Sequence, residues 1–284
     1  MIMTKGNWWL GLILTASLTA CGNGKPSEAT DEGLDEDSTS TEEPLTEDEL
    51  QDELISEEPM PLAAEELFDD FLFNFASNKR LQMERILFPL VVNSEAKTDT
   101  LERDDWQMEH FFMHNEEYTL IFDSEEQMMM QKDTAVNHAV VEKIFLDQGF
   151  VCQYRFDRKN GRWMLDSMQK QTMSQNPNAS FLSFYRLFVT DSVFRQQSMK
   201  EEILFSGPDP DNDLEQMEGV ITPEFWEAFA PELPHGIIYN IVYGEHHGHS
   251  HQKIFALRGI ANGLEVELTF RKEHEKWILT KLSE

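Results

Sequence analysis

Residues 148–165 read QGFVCQYRFDRKNGRWML, and residues 262–279 read NGLEVELTFRKEHEKWIL. The two stretches share an early Gly, alternating apolar residues and a Trp two residues before a Leu, all 114 positions apart. Alternation predicts strands, and Asn160-Gly161 predicts a tight hairpin turn. His274-Glu275 takes that place in the second stretch, so the two hairpins need not share a turn type. We therefore predict two similar hairpins and a degenerate internal repeat.

Matching features extend from each hairpin toward the N-terminus. Each copy begins with apolar residues at helical spacing: Leu67, Phe68, Phe71, Leu72 and Phe75, then Phe181, Leu182, Tyr185, Phe188 and Val189. The segments 86–88 and 203–205 both read Ile-Leu-Phe and align with an offset of 117. Trp106 and Trp226 then occupy matched positions, ahead of strand-like runs at 118–122 and 239–243. Each copy is thus expected to run from helices to strands.

This order of elements predicts the fold class. We expect an α+β fold of two tandem cone-like repeats, each with N-terminal helices packed on a curved antiparallel sheet. The first repeat covers residues 63–172 and the second covers residues 177–284. Drift in the offset places insertions between the matched segments, where loops lie.

The N-terminus has the pattern of an export signal. Lys5 precedes an apolar run from Trp8 to Ala16, which is too short to span a bilayer. Leu18-Thr19-Ala20-Cys21 follows and resembles the bacterial lipobox. We predict a lipoprotein signal peptide at 1–20, lipid attachment at Cys21 and a protein held to a membrane of the bacterial cell envelope, expected to be the outer membrane. The soluble part would be periplasmic or surface-exposed, and the alternative is a plain signal peptide.

An acidic tether is predicted between the anchor and the repeats, at residues 21–62. Residues 22–62 contain 15 acidic residues and one basic residue, Lys25, with few apolar residues. Such a segment cannot bury enough apolar surface to fold alone. The whole chain carries a formal net charge of -30. Because this charge repels phosphate backbones, nucleic acid is not expected as a partner.

The motifs resemble those of a known superfamily. Ile-Leu-Phe after the first helix, the Asp105-Trp106 or Phe225-Trp226 pair and the ending Gly161-Arg162-Trp163-Met164-Leu165 resemble the cone-shaped α+β superfamily named after nuclear transport factor two. They resemble more closely its tandem-domain Bacteroidales-type lipoproteins, a family of uncharacterised function. The resemblance covers most of residues 63–284, although the second copy lacks the Gly before Trp277. The superfamily includes enzymes and binding modules, so the resemblance implies fold more than activity.

One histidine cluster is a candidate metal site. His246, His247, His249 and His251 lie within six positions and could together bind a divalent metal. The alternative is an exposed hairpin tip that binds metal only adventitiously. No other cofactor is expected, because no glycine-rich phosphate loop, Gly-x-Ser-x-Gly motif or paired cysteine motif occurs.

Four further patterns favour structural interpretations. The acidic run 209–213 begins like a calcium loop, but Leu214 replaces the Gly and Val220 replaces the Glu that such a loop needs. His110 and His114 could share one helical face, and ordinary packing is favoured for them. Cys152 is predicted to be buried in a strand, and the methionines at 128–130 fill a core more often than they form an interface.

No catalytic residue is nominated by these patterns. We therefore expect an exported lipoprotein that acts as a non-catalytic binding or assembly module for a protein or small-molecule ligand. The alternatives are an envelope enzyme or small-ligand receptor that uses a cone pocket, and a metal-handling protein. A pocket with two convergent titratable groups of perturbed pKa would favour an enzyme.

Overall fold

The first apolar stripe forms a helix in the computed structural model, which describes residues 66–209, 212–244 and 250–284. Helix α1 is Phe68–Ser77, and Phe71, Leu72 and Phe75 on its inner face are fully buried. Truncating one such ring to alanine typically costs about 3–5 kcal/mol of stability. Helix α2, Lys79–Arg85, follows after Asn78, whose side chain accepts a hydrogen bond from the backbone N–H of Leu81. The predicted signal peptide, Cys21 and tether lie outside the described residues.

The first half continues as strands with one short helix. The elements are β1 Ile86–Ser94, β2 Thr98–Leu101, β3 Glu117–Phe122, α3 Glu125–Met129, β4 His138–Phe145, β5 Phe150–Lys159 and β6 Arg162–Thr172. The segment 106–116 between β2 and β3 contains neither helix nor strand.

The second half has the same order of elements, except that its third helix precedes its third strand instead of following it. It comprises α4 Ala179–Thr190, α5 Ser192–Gln197, β7 Met199–Asp209, β8 Asn212–Ile221, α6 Trp226–Phe229, β9 Ile237–Tyr243, β10 Gln252–Gly259, β11 Glu265–Glu273 and β12 Lys276–Ser283. Phe181, Leu182, Tyr185 and Phe188 of α4 are fully buried, as the second stripe predicts. The α+β class, with helices ahead of the strands, is confirmed. None of the described helices is long and apolar enough to cross a membrane.

Each half gives one strand to the sheet of the other half. The first sheet has the order β2-β1-β6-β5-β4-β9, and the second has the order β8-β7-β12-β11-β10-β3. Thus β3 of the first half pairs with β10, and β9 of the second half pairs with β4. Neither sheet is built from one half alone. The predicted boundaries at 172 and 177 stay a prediction.

Both sheets are mainly antiparallel, as expected, and each also contains one parallel pair of strands. β1 pairs in parallel with β6, and β7 pairs in parallel with β12, while the other neighbours are antiparallel. The parallel partners, β1 with β6 and β7 with β12, are strands that lie far apart in the chain. A hairpin, which would impose an antiparallel direction, does not connect β1 to β6.

The register also corrects one alignment. Ile86 lies opposite Leu165, and Met199 lies opposite Leu279. Ile86 therefore corresponds to Met199, with an offset of 113, and not to Ile203. The apolar triplet misled the alignment because it starts at the first residue of β1 but four residues after the first residue of β7. Phe156 and Phe270, by contrast, lie at equivalent places, opposite Leu165 and Leu279.

The two closing hairpins share a turn conformation. Asn160 and Gly161 have φ of 53° and 78°, and His274 and Glu275 have φ of 47° and 65°. Two successive positive φ values define the type I′ turn that suits strand twist. The fold thus imposes the same turn on His274-Glu275 despite the lack of Gly.

Candidate functional site

The interior of each cone is filled by the chain's own aromatic rings. In the first cone Phe68 contacts Trp163 with ring centroids 4.9 Å apart, and Phe75 contacts Phe156 at 5.3 Å. In the second cone Phe270 lies 5.3 Å from both Phe181 and Phe188. These rings are fully or almost fully buried. A ligand site must therefore lie at the rim of a cone or outside it.

A polar cluster lies at the rim of the first cone. Lys143 on β4 donates through Nζ to Glu109 Oε1 and Oε2 at 3.0 and 3.3 Å. Tyr154 on β5 donates its hydroxyl to Glu109 Oε2 at 2.8 Å. Tyr239 on β9 donates its hydroxyl to the carbonyl oxygen of Phe111 at 2.7 Å. We call Lys143, Tyr154 and Tyr239 the donor trio.

The titration of the two phenols suits hydrogen-bond donation. Burial raises the pKa of Tyr154 far above its usual value, and the Glu109 carboxylate raises it further. Burial and then Glu109 also raise the pKa of Tyr239. Both hydroxyls therefore keep their protons at neutral pH. They can orient a carbonyl or carboxylate oxygen but are poor general bases.

The second cone lacks this polar cluster. The strand pairing places Leu257 where the first cone has Lys143, Leu268 where it has Tyr154, and Thr119 where it has Tyr239. Leu257 and Leu268 are buried in the apolar core. The fold can therefore close a cone without the donor trio.

Gln82 anchors the segment 106–116 over the first cone. Its fully buried amide donates to the carbonyl oxygens of Phe75 and Glu109, each at 2.8 Å. Its oxygen accepts from Trp106 Nε1 at 3.0 Å and from the backbone N–H of Glu109 at 3.1 Å. The backbone at Glu109 is thus fixed, which positions its carboxylate for the donor trio.

A second buried polar group joins α1 to β9 and β10. Tyr243 donates its hydroxyl to Asp69 Oδ1 at 2.5 Å, and Gln131 donates to Asp69 Oδ2 at 3.3 Å. Arg258 donates to Gln131 Oε1 at 2.9 Å. Burial raises the pKa of Asp69 in spite of the Tyr243 hydrogen bond. Because each member bonds to another, this group acts as a structural bridge.

An open cleft of about 400 Å³ lies where the loops leading into β3 and β9 meet. One wall is formed by Asn115 to Thr119, and the other by Glu232, Pro234 and Ile237 to Tyr239. Glu116, Glu117 and Glu232 face it, whereas no Lys or Arg belongs to the described lining. The size is within the usual range for a small-ligand site.

The electrostatics of the cleft favour positive charge. Burial raises the pKa of Glu117 above its usual value, and the neighbouring Glu232 and Glu116 raise it further. Like charges that raise one another's pKa are relieved when a cation binds between them. The apolar side chains of Ile237 and Pro234 can cover an apolar stem. The cleft is therefore suited to an organic cation.

The structure tests the histidine cluster only in part. His246, His247 and His249 lie outside the described residues, and His251 is exposed. Among the residues that the structure describes, no group of three or more His, Cys, Asp or Glu side chains could hold a metal ion. Metal binding by the cluster stays a prediction.

Two other predicted patterns have clear outcomes. His110 and His114 do not share a helix, because residues 111–114 form a turn, yet their ring centroids lie 4.3 Å apart. The turn arises because Phe111 adopts a positive φ of 50°, which a helix cannot contain. In the acidic run, Asp209 pairs with Asn212 in the β7–β8 hairpin, while 210 and 211 lie outside the described residues.

The thiol and methionine predictions are largely confirmed. Cys152 is buried on β5, and burial raises its pKa, so the thiol is a weak nucleophile. Met128 and Met130 pack against the first core cluster, whereas Met129 is 62% exposed. The methionines thus mainly fill the core.

Sequence reasoning missed the donor trio, Glu109 and the cleft. One available signal was Glu142-Lys143, two charged residues in the middle of the apolar run 139–146. Charged residues there must find partners when the strand is buried. Glu116-Glu117 at the start of a strand was a weaker signal for the cleft.

Comparisons with known proteins agree on fold. The sequence model of a family described as Domain of unknown function (DUF4348) matches residues 47–284. The crystal structure of an NTF2-like protein from Bacteroides fragilis NCTC 9343 matches with 36% identity and a TM-score of 0.72, covering 79% of this chain and 98% of that one. A search of the curated proteins finds no match. The expected cone-shaped fold is thereby confirmed.

Proposed function

Because the chain belongs to the DUF4348 family and has the NTF2-like fold, we propose that it is an exported, lipid-anchored binding module that does not catalyse a reaction. Its site is the cleft between the loops that precede β3 and β9. Its ligand is an organic cation, an ammonium or guanidinium group on an apolar stem, carried by a small molecule or by a partner protein.

One observation carries this proposal: both cones are filled, while the cleft is open and acidic. Glu116, Glu117 and Glu232 come from both halves of the chain, so the cleft exists only when the halves are assembled. An ammonium group between these carboxylates would gain charge-assisted hydrogen bonds. Ile237 and Pro234 supply the apolar wall that specific binding needs.

The chemistry of the first cone supports a non-catalytic role. Lys143 and Glu109 neutralise each other, and the phenols of Tyr154 and Tyr239 keep their protons because burial raises their pKa. These groups satisfy one another's hydrogen bonds. They leave no free acid and base aimed at a common open point.

The envelope location rests on the N-terminal sequence. A thiol at Cys21 after Leu18-Thr19-Ala20 is where lipid attachment is expected, and the tether at 21–62 would give the folded part reach. Replacement Cys21→Ala should release the protein from membranes. Mass spectrometry of the mature N-terminus should find an acylated Cys21, and cleavage elsewhere without acyl mass would contradict this part.

The cleft is tested by calorimetric titration with agmatine, which carries an ammonium and a guanidinium group. We expect saturable binding that Glu117→Gln weakens by about tenfold, the loss of one ion pair at a half-buried carboxylate, and that Glu232→Gln, an exposed residue, weakens by less. Glu201→Gln, an exposed carboxylate on β7, is the matched control and should leave binding unchanged. N-butylacetamide, which is neutral, should not bind.

Two results would reject the proposal. Equal weakening by Glu201→Gln would show that only the net charge attracts agmatine. Measurable turnover of a small substrate, abolished by Tyr154→Phe in a protein that still folds, would favour an enzyme instead.

A further inference from the structure

Three donors on three strands converge on one loop segment. Lys143, Tyr154 and Tyr239 lie on β4, β5 and β9, and their partners are the Glu109 carboxylate and the Phe111 carbonyl oxygen. The strands are held by the sheet, while the segment 106–116 has neither helix nor strand. If residues 109–111 moved away, the donors would keep their positions.

The fold does not require these donors. Leu257, Leu268 and Thr119 take their places in the second cone, which is closed and apolar. A half-buried Lys and two buried Tyr are costly to place in a core unless each finds a partner. The first cone therefore carries recognition groups that packing alone does not explain.

Phe111 is held in an unfavourable backbone conformation. Its φ of 50° is rare for a bulky residue, which clashes there with its own carbonyl group. Two hydrogen bonds hold it: its N–H donates to Glu109 Oε1 at 3.0 Å, and its carbonyl oxygen accepts from Tyr239. Rotation of Phe111 out of the cone would relieve this strain.

We propose that Glu109 and Phe111 occupy a ligand site of the first cone, and that the ligand is a small aromatic carboxylate. The Glu109 carboxylate lies where the ligand's anionic group would bind Lys143 and Tyr154. The Phe111 ring, 4.9 Å from Tyr154 and 6.3 Å from Phe75, lies where the ligand's ring would pack. The Glu109 and Lys143 side chains are each 20% exposed, so the site opens at the rim. Of the donor trio, only Tyr239 also borders the cationic cleft.

The test is calorimetric titration with phenylpropionate. Phe111→Gly removes the ring, one of the two internal groups in the site, and accepts a positive φ. We expect this variant to bind phenylpropionate at least about tenfold more tightly than the wild type, because the ligand must then displace only the Glu109 carboxylate. Neutral phenylpropionamide should bind neither protein. Agmatine binding should not change, which separates this result from the cleft.

Two further variants identify the recognition groups. Phe184→Ala opens a cavity in the second cone, which has Leu257 and Leu268 in place of the donors, and should not bind phenylpropionate. Lys143→Met combined with Phe111→Gly should lose the preference for the carboxylate over the amide. Circular dichroism and urea denaturation of each variant serve as the control for folding.

Glu109→Gln keeps the test decisive if Phe111→Gly does not fold. It removes the internal carboxylate and should also bind phenylpropionate more tightly than the wild type. The proposal is overturned if neither variant binds it, if Phe184→Ala binds it equally well, or if the wild type binds it as tightly as the variants do.

Discussion

Thr119 on β3 and Tyr239 on β9 form two hydrogen bonds with each other, at the point where these two exchanged strands meet. Thr119 donates through Oγ1 to the carbonyl oxygen of Tyr239 at 2.6 Å and accepts from its backbone N–H at 2.9 Å. Both residues are buried, and each lies on the strand that completes the other half's sheet. The same two residues thus join both sheets at one point.

Replacing Thr119 by Val should destabilise the protein. The hydroxyl is lost while the shape is kept, so two buried backbone groups of Tyr239 lose a partner. We expect the free energy of unfolding to fall by about 2–3 kcal/mol. Urea denaturation measures it. Thr98→Val, which removes an exposed hydrogen bond to Asn93, should change it by less than about 0.5 kcal/mol. Equal effects at both positions would contradict the role of the crossing.

The carboxylate of Glu142 should be required for full stability of the fold. It is buried on β4, and its oxygens accept from Gln153 at 2.9 Å, Asn176 at 2.6 Å and Asn240 at 2.9 Å. In Glu142→Gln the new amide group would face an amide donor. We expect a loss of about 2 kcal/mol or more in urea denaturation. A variant as stable as the wild type would show that desolvation of the charge cancels its hydrogen bonds.

Neutralising Glu117 should weaken cation binding in the cleft but stabilise the folded protein near neutral pH. Since burial and nearby carboxylates raise its pKa in the folded protein, the folded state binds this proton more tightly than the unfolded state. Stability from this group is therefore greatest at low pH and falls as pH rises through the folded pKa. Glu117→Gln should be more stable than the wild type at pH 7, and the difference should shrink toward pH 4. Thermal melts across this range measure it, and a difference that grows toward low pH would reverse the sign.

Cys152 should react slowly with a thiol reagent. Burial blocks access and raises its pKa, so little thiolate is present. In a Cys21→Ala background, we expect disulfide exchange with Ellman's reagent to be slowed by about a hundredfold or more relative to the urea-unfolded chain. Rapid reaction of the folded protein would show that the rim of the first cone opens readily.

Local patterns predicted local structure well. The stripes at Phe71 and Phe181 became buried helix faces, and the alternation around Phe156 and Phe270 became paired strands at equivalent register. Such features depend on neighbours within a few residues. The short triplet at 86–88 and 203–205 misled, because three residues cannot separate one offset from another.

The strand exchange could not be predicted from these patterns. The runs 118–122 and 239–243 match each other, and either could pair with its own half or with the other half. The choice depends on contacts such as Asn240, whose side chain accepts from the N–H of Ile121 and donates to Glu142. The donor trio was missed for the same reason, since its members lie far apart in sequence and meet only through the fold.

The exchange of β3 and β9 also bears on what one half would do by itself. Residues 66–176 alone would expose the edge of β4 and leave β3 without β10. Two such fragments could restore both contacts if each inserted its β3 beside the partner's β4, as reciprocal domain swapping does. An isolated half is therefore expected to form a dimer or to aggregate through its bare edges. In the intact chain the covalent connection keeps the two halves at high effective concentration. The exchanged strands β3 and β9 therefore pair within one molecule.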